Sequence, residues 1–269
     1  MTFFSVSKLT AGYGKKPIVE NLSFSADDGC LLGILGSNGS GKTTLLKAIC
    51  GILPHTGSCI LEGTVLEGLS PRQLARYCSY IPQRSGISID ISALDVVLMG
   101  FNPWLGLLER PTAAMKDKAR RALALAGLDG MEKRNYLTLS EGQKQLCILA
   151  RTLCSNGRLL LLDEPESALD FRFRYQMLTL LQNWLSDGPR AAIVTLHDPS
   201  LALNYCDKLL LLSEGKILGI TCPRTDSLEQ METLLTQIYG NISLGKVLNR
   251  SGQEQLIMLQ ENLRQETSL

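Results

Sequence analysis

An apolar run that leads straight into a glycine-rich turn constrains this 269-residue chain more than any other feature. The run, Leu31-Leu32-Gly33-Ile34-Leu35, predicts a strand that is buried on both faces. The turn, Gly36-Ser37-Asn38-Gly39-Ser40-Gly41-Lys42-Thr43, has the pattern G-x-x-x-x-G-K-S/T and precedes a helix predicted from about Lys42 to Cys50. Its backbone N–H groups can converge on phosphate oxygens, Lys42 can reach the outer phosphates, and the Thr43 hydroxyl can bind Mg²⁺. A chance Lys-Thr pair after a glycine-rich turn is the alternative, but the flanking strand and helix favour a nucleoside triphosphate site.

A second apolar strand ends in two acidic residues. Leu159-Leu160-Leu161-Leu162 predicts the strand, and Asp163 and Glu164 follow it. Asp163 can hold Mg²⁺ at the phosphate end of the sheet, and Glu164 can polarise the attacking water as a general base. Two acids that merely end a strand are common, so this motif is informative only together with the phosphate loop.

Strands and helices alternate along the second half of the chain. The pattern predicts a helix at Phe171–Leu185 and strands at Ala191–Thr195 and Lys208–Leu212. This alternation favours an α/β fold with a mostly parallel sheet. Near the N-terminus, paired strands are predicted on either side of Gly12-Tyr13-Gly14. Helix-period apolar residues interrupted by prolines predict a small inserted α-helical subdomain after about residue 84.

Composition excludes several classes of protein. Lys and Arg number 27 against 26 Asp and Glu, so a net charge of +1 does not suit a nucleic-acid binder that relies on bulk positive charge. No apolar run approaches the roughly 20 residues that cross a bilayer, and the first residues do not resemble a secretory signal. The eight cysteines form no C-x-x-C pair, which favours free thiols. Cys50, His55 and Cys59 are loosely spaced like metal ligands, but they match no zinc pattern and show no fourth ligand.

The segment Leu139-Ser140-Glu141-Gly142-Gln143 precedes an amphipathic helix and resembles the signature of the ATP-binding cassette (ABC) family, usually written LSGGQ. A serine and a glycine at a helix start can form a second anion site. In that family two cassettes pack head to tail, and each ATP lies between the Lys42 loop of one copy and the Ser140 loop of the other. An ordinary N-cap serine is the alternative. Glu141 departs from the family pattern, which has glycine there.

The other marks of the family follow in family order, and the resemblance assigns their roles. Tyr13 matches the aromatic residue that stacks on adenine, Gln83 the glutamine that senses Mg²⁺ and the γ-phosphate, and His197 the histidine that contacts that phosphate. Ser167-Ala168-Leu169-Asp170 matches a loop that crosses the dimer interface. The ordinary alternatives are that Tyr13 is an exposed turn residue, Gln83 a solvated side chain, His197 a structural histidine and Asp170 a helix N-cap. The residues expected to contact ATP are Tyr13, Gly36, Ser37, Asn38, Gly39, Ser40, Gly41, Lys42, Thr43, Thr44, Ser140, Gly142 and Gln143.

The resemblance also implies an architecture. We expect a P-loop core with a mostly parallel sheet, an N-terminal antiparallel β subdomain and an inserted helical subdomain over about residues 84–145. Residues 1–240 would form the nucleotide-binding domain, and residues 241–269 a C-terminal extension. Because residues after about 250 are mostly polar, we expect them to form a loosely held tail.

Two stretches, Leu69–Arg76 and Asp95–Gly100, resemble ATPase subunits that power the uptake of iron–siderophore, haem and cobalamin. The resemblance implies ATP and Mg²⁺ as cofactors, separate transmembrane permease subunits, a second copy in an ATP-sandwich homodimer, and a substrate-binding protein that acts indirectly. It places the chain at the cytoplasmic face of the cell membrane, with no nucleic acid expected. An exporter's ATPase subunit and a soluble ABC ATPase that acts on nucleic acid or ribosomes are the alternatives. Phe101–Leu108 is either a proline-broken core segment or an apolar docking patch for a membrane subunit.

Overall fold

The computed structural model describes residues 2–14, 16–83, 86–167 and 169–261. Three sequence predictions fall partly outside these residues: Ala168 in the interface loop, residues 84 and 85 at the start of the helical subdomain, and residues 262–269 of the extension. The strands are β1 (Thr2–Tyr13), β2 (Lys16–Asp27), β3 (Leu31–Leu35), β4 (His55–Leu61), β5 (Thr64–Val65), β6 (Cys78–Ile81), β7 (Leu159–Asp163), β8 (Ala191–Thr195), β9 (Lys208–Ser213), β10 (Lys216–Thr221), β11 (Ile242–Leu248) and β12 (Glu254–Gln260). The helices are α1 (Lys42–Ile49), α2 (Pro71–Tyr77), α3 (Ala93–Leu98), α4 (Ala113–Leu125), α5 (Glu141–Cys154), α6 (Phe171–Leu185), α7 (Pro199–Tyr205) and α8 (Leu228–Tyr239), with 3₁₀ turns at Met99–Phe101 and Tyr136–Thr138.

A six-stranded sheet forms the centre of the molecule. Its order is β10-β9-β3-β8-β7-β6, and only the pairing of β10 with β9 is antiparallel. Every residue of β3, β7 and β8 is buried, as expected for strands covered on both faces. The carboxyl ends of β3 and β7 lead into the phosphate loop and into the acidic pair, so the parallel arrangement brings both motifs to one edge of the sheet.

Alternate residues of the central strands belong to two different hydrophobic cores. Leu31 and Leu35 of β3 pack with the helices α3 to α6, whereas Leu32 and Ile34 pack with α1 and the N-terminal strands. Because successive side chains of a strand point to opposite faces, this division shows that the sheet is sandwiched between two layers. The N-terminal layer is a second, antiparallel sheet of order β2-β1-β4-β5. The predicted α/β fold with an antiparallel β subdomain is confirmed.

The helices α3 and α4 and the first turn of α5 occupy the segment predicted to be an inserted helical subdomain, and α5 continues beyond it. Each begins at a side-chain N-cap: Ser92, Thr112 and Ser140 accept hydrogen bonds from backbone N–H groups three residues further on. Their buried apolar residues belong to one hydrophobic core, which also contains the fully buried Tyr136. Within the described residues, no helix is both long enough and apolar enough to traverse a bilayer.

The prediction of a loosely held tail after about residue 250 is wrong for residues 254–260. These residues form β12, which pairs with β11 in an antiparallel hairpin. The Asn204 side chain of α7 fixes the hairpin, because its amide nitrogen donates to the Leu256 carbonyl (2.7 Å) and its oxygen accepts from the Leu256 N–H (2.9 Å). Leu256 is buried and Met258 partly buried against the main core, so alternate side chains of β12 hold the strand in place.

Candidate functional site

The phosphate loop joins β3 to α1 and turns sharply at two glycines. Gly39 and Gly41 have φ of +80° and +106°, in the region that L side chains rarely adopt. A Cβ on Gly41 would also lie 2.6 Å from a side-chain carbon of Val19. The loop and Glu164 line a cavity of about 190 Å³, together with Ile18 of β2. The residues of the predicted loop that line it are Asn38, Gly39, Ser40, Gly41, Lys42, Thr43 and Thr44.

The Lys42 ammonium group lies inside this loop. Its Nζ donates to the carbonyl oxygens of Gly36 (2.8 Å) and Ser37 (3.2 Å), and it lies 4.0 Å from a carboxylate oxygen of Glu164. Burial lowers the pKa of Lys42, while the nearby carboxylates, Glu164 foremost, act in the opposite direction. A positive charge is therefore held by carbonyl dipoles at the position where the outer phosphates of a nucleotide would bind.

Asp163 is buried at the end of β7 and is surrounded by hydroxyl groups. Thr43 Oγ1 donates to its Oδ1 at 2.9 Å, Thr195 Oγ1 lies 3.2 Å from the same oxygen, and the Tyr80 hydroxyl donates to Oδ2 at 3.1 Å. Thr43 of α1 and Asp163 of β7, the two residues expected to bind Mg²⁺, are therefore in direct contact. Burial and the Asp163 carboxylate raise the pKa of Tyr80, so its hydroxyl remains a donor.

Three side chains converge on the carboxylate of Glu164. The Gln83 amide donates to Oε2 (2.9 Å), His197 Nε2 lies 2.8 Å from the same oxygen, and Lys42 faces Oε1. The backbone of Glu164 has φ of +49°, a left-handed conformation that is strained for a residue with a Cβ. Its N–H donates to Thr195 Oγ1 at 2.8 Å, so a neighbouring strand fixes this strained peptide. The predicted catalytic residues Glu164, His197 and Gln83 therefore lie together, next to the phosphate loop.

A third carboxylate, Glu166, lies beneath this group and was missed by sequence reasoning. It is 2% exposed, and its Oε1 accepts a hydrogen bond from the His197 N–H at 2.7 Å. Its Oε2 is buried and has no hydrogen-bond partner within the described residues. Burial is the main cause of a raised pKa at Glu166. Its only sequence signal is its position, two residues after Glu164.

The signature residues lie at the start of α5 and hold one another. Ser140 Oγ accepts from the Gln143 N–H (3.3 Å), and the Gln143 side chain accepts from the Ser140 N–H (3.0 Å), which is a capping box. Gly142 is buried, and a Cβ there would lie 3.0 Å from the Phe173 ring. Glu141, the departure from the family pattern, is exposed and pairs with Lys144 at 2.7 Å. The start of α5 thus keeps the local geometry of an N-cap and remains open to solvent.

Tyr13 is the last residue of β1, and about half of its side-chain surface is exposed. An aromatic face at this position is free to stack on a planar ligand. In contrast to the residues around Asp163 and Glu164, neither Tyr13 nor the start of α5 contributes to the hydrogen bonds that hold the acidic pair. The structure therefore contains one assembled cluster, around Asp163 and Glu164, and two exposed elements, Tyr13 and the start of α5.

Comparison with known proteins agrees with this geometry. The ABC transporter family model matches residues 19–167. The manganese transport system ATP-binding protein of Bacillus subtilis is 36% identical over 214 residues, which cover 79% of this chain and 84% of that protein. The hemin import ATP-binding protein of Rhizobium leguminosarum is 37% identical over 220 residues, or 79% of this chain and 82% of that protein.

Solved structures show the same relationship. A metal-chelate type ABC transporter in an inward-facing conformation has a TM-score of 0.80 and 26% identity, covering 96% of this chain and 98% of that chain. A dimeric bacterial ABC transporter cassette shares the fold, with a TM-score of 0.74 at 22% identity, covering 83% of this chain and 100% of that chain. The resemblance seen in the sequence motifs is confirmed. This chain belongs to the ABC transporter family, of which it is an ATP-binding and ATP-hydrolysing member.

Proposed function

We propose that this chain is the ATPase subunit of an importer that takes up a metal chelate through a separate membrane permease. The observation that best supports ATP hydrolysis is that Lys42, Gln83 and His197 converge on the Glu164 carboxylate, beside the phosphate loop. The direction and cargo are supported by relatives named for the import of hemin and cobalamin and by the metal-chelate type transporter of the same fold. Another relative is named for manganese transport, which also favours a metal-containing cargo.

In this proposal the chain's own residues divide the work of hydrolysis. The phosphate-loop N–H groups and Lys42 bind the phosphates of ATP, and Lys42 stabilises the charge that develops on the γ-phosphate. Glu164 accepts a proton from the attacking water, and Gln83 and His197 orient its carboxylate. Thr43, Asp163 and Gln83 supply the oxygen ligands that Mg²⁺ prefers, and Thr43 and Asp163 already lie 2.9 Å apart. When bound, Mg²⁺ neutralises phosphate charge.

We infer that two copies form an ATP-sandwich homodimer. Ser140, Gly142 and Gln143 stand at the start of α5, where the helix dipole favours an anion. A chain with one phosphate loop and one such helix start can use both on the same nucleotide only through a second copy. The Glu141–Lys144 pair supports this role, because it partly neutralises the one carboxylate of the segment.

A rigid loop after α3 supports docking to a permease at the cytoplasmic face of the membrane. Leu107 and Leu108 are 98% and 93% exposed. Arg72 and Arg76 of α2 donate to backbone carbonyls of this loop, and the Trp104 indole donates to the Ser155 carbonyl at 2.8 Å. By contrast, Phe101 is buried in the core, so within residues 101–108 the docking patch would consist of the exposed leucines. A fixed loop that presents adjacent leucines to solvent is suited to a protein partner.

The proposal divides the chain into a nucleotide-binding domain at residues 1–240, with a helical subdomain over about 84–145, and an extension at 241–269. A substrate-binding protein would act only through the permease. The cargo would not touch this subunit.

Affinity capture of a tagged Glu164→Gln variant from solubilised native membranes tests the proposal. With ATP present, this variant should retain nucleotide, lose turnover, and co-purify with a polytopic membrane protein. A Leu107→Ser/Leu108→Ser variant with the same Glu164→Gln change is the matched control, and it should form the ATP-dependent dimer but recover less of the membrane protein. Recovery of ribosomes or DNA instead would contradict the transporter function, and normal turnover by Glu164→Gln would exclude Glu164 as the base.

A further inference from the structure

Three potential metal ligands meet on the antiparallel sheet, away from the phosphate loop. They are His55 and Cys59 of β4 and Glu67, which follows β5. One donor atom from each side chain can be chosen so that all three atoms lie within 4.8 Å of one another. The sequence spacing alone suggested Cys50 as a companion of His55 and Cys59, but in the fold Glu67 takes that place.

The backbone of the β4–β5 hairpin brings Glu67 to this position. The turn is closed by the Leu66 N–H, which donates to the Cys59 carbonyl at 2.9 Å. The Cys59 N–H in turn donates to Oε1 of Glu67 at 2.6 Å. The other carboxylate oxygen, Oε2, is buried and has no hydrogen-bond partner among the described residues. A buried carboxylate oxygen without a partner is costly, and a bound cation would satisfy it.

The histidine is oriented as metal-binding histidines are. Its Nδ1 lies 3.2 Å from the Thr56 carbonyl oxygen, which can accept a hydrogen bond from Nδ1–H and so leave the lone pair of Nε2 free. His55 Nε2 then faces Oε1 of Glu67 at 3.7 Å, too far for a hydrogen bond. Two ligands held at about 2.1 Å from a tetrahedral metal lie about 3.4 Å apart, so this gap suits a shared cation.

We propose that His55, Cys59 and Glu67 form a binding site for a zinc-class divalent cation, with water in the fourth position. One nitrogen, one sulfur and one oxygen donor suit Zn²⁺, whereas a buried thiol argues against Mg²⁺ or Ca²⁺. Binding forms a metal–sulfur bond and releases the thiol proton to solvent.

The site is independent of the proposed transport function. None of its residues contributes to the phosphate loop or to the cluster around Glu164. However, β4 pairs with β1, with His55 opposite Ala11, two residues before the end of the strand at Tyr13. A bound cation would therefore cross-link β4 to the residue that follows β5, next to the strand that ends at the expected adenine-stacking residue.

Titration of the metal-free, nucleotide-free full chain with Co²⁺ tests the proposal. We expect one equivalent of Co²⁺ to produce a thiolate-to-cobalt charge-transfer absorption, to release one proton, and to be displaced by Zn²⁺. The acidic cluster around Glu164 cannot produce this band, because it contains no thiol. An unchanged spectrum at saturating Co²⁺ would overturn the proposal.

Variants assign the band to its ligands. Cys59→Ser should abolish it, and His55→Gln and Glu67→Gln should weaken Co²⁺ binding by at least about tenfold. Cys50→Ser and Cys222→Ser, which change partly exposed thiols outside the group, should keep it. Cys59 is buried, so its serine variant can misfold. The His55→Gln variant is therefore a sufficient test by itself, provided that circular dichroism shows that it is folded. Retention of wild-type affinity in folded His55→Gln, or loss of the band in Cys50→Ser, would refute the assignment.

Discussion

Thr195 is expected to be the residue that holds the acidic pair in register, and Thr195→Val is the perturbation that tests it. Its hydroxyl oxygen accepts from the Glu164 N–H at 2.8 Å and lies 3.2 Å from Oδ1 of Asp163. Thr195 is fully buried, and valine has nearly the same shape. The substitution therefore removes two polar contacts and creates no cavity.

The magnitude follows from those two contacts. A buried N–H left without an acceptor costs about 1–3 kcal/mol, and a hydrogen bond to a carboxylate contributes about 1.5–3 kcal/mol. Since the two contacts share one hydroxyl, we expect the free energy of unfolding to fall by about 2–4 kcal/mol rather than by the full sum. Release of the Glu164 peptide should also lower kcat for ATP hydrolysis by tenfold or more, while the KM for ATP changes little.

Urea unfolding and steady-state ATPase assays measure the two effects, with Thr195→Ser as the matched control. Serine keeps the hydroxyl and loses one methyl group, so its kcat should stay close to that of the wild type. If valine and serine reduce kcat equally, the hydroxyl does not position Glu164. If valine leaves both the unfolding free energy and kcat unchanged, the hydrogen bonds of Thr195 contribute nothing and the reasoning is refuted.

Three further predictions concern other parts of the molecule. Burial raises the pKa of Glu166, so the folded chain binds the proton of this carboxyl group more tightly than the unfolded chain does. The free energy of unfolding should therefore fall as the pH rises from 4.5, the ordinary pKa of a glutamate, through the raised pKa. Urea titrations at several pH values should show this fall in the wild type and not in Glu166→Gln. In Gly100→Ala the new Cβ would lie 2.2 Å from the Arg151 carbonyl oxygen, which should cost about 1–3 kcal/mol of unfolding free energy, whereas Gly245→Ala meets only ordinary contacts and should cost less. Asn204→Ala removes both hydrogen bonds to Leu256, so limited proteolysis should cut the C-terminal hairpin sooner than in the wild type; equal cleavage rates would show that Asn204 does not anchor the hairpin.

The elements that the sequence predicted well are those with a strong local signal. The helix Phe171–Leu185 and the strand Ala191–Thr195 have the predicted bounds, because a 3.6-residue apolar period and a continuous apolar run are each visible within one segment. The phosphate loop was equally clear, since its glycines are needed for the backbone turns themselves. In contrast, the hairpin β11–β12 depends on contacts with a distant segment, as the hydrogen bonds between Asn204 and Leu256 illustrate.

The candidate site shows the same division. Lys42, Thr43, Asp163 and Glu164 could be placed from motifs, because parallel strands deliver their carboxyl ends to a common edge. The hydroxyl group of Thr195 and the carboxylate group of Glu166 could not be placed from the sequence, because no neighbouring residue in the chain indicates which group each will contact. Side-chain partners across a sheet are fixed by strand order, and strand order is a property of the whole fold.

The left-handed backbone at Glu164 has a consequence for how this protein responds to selection. At φ of +49° a glutamate holds a conformation that costs roughly 1–2 kcal/mol and that glycine or asparagine adopts more easily. A screen for heat resistance alone should therefore recover Glu164→Gly and Glu164→Asn, both without turnover. If the gene were selected for folding but not for activity, Glu164, the proposed base, would be the first residue to be replaced. A glutamate that is retained at this position would then indicate that ATP hydrolysis has been under selection.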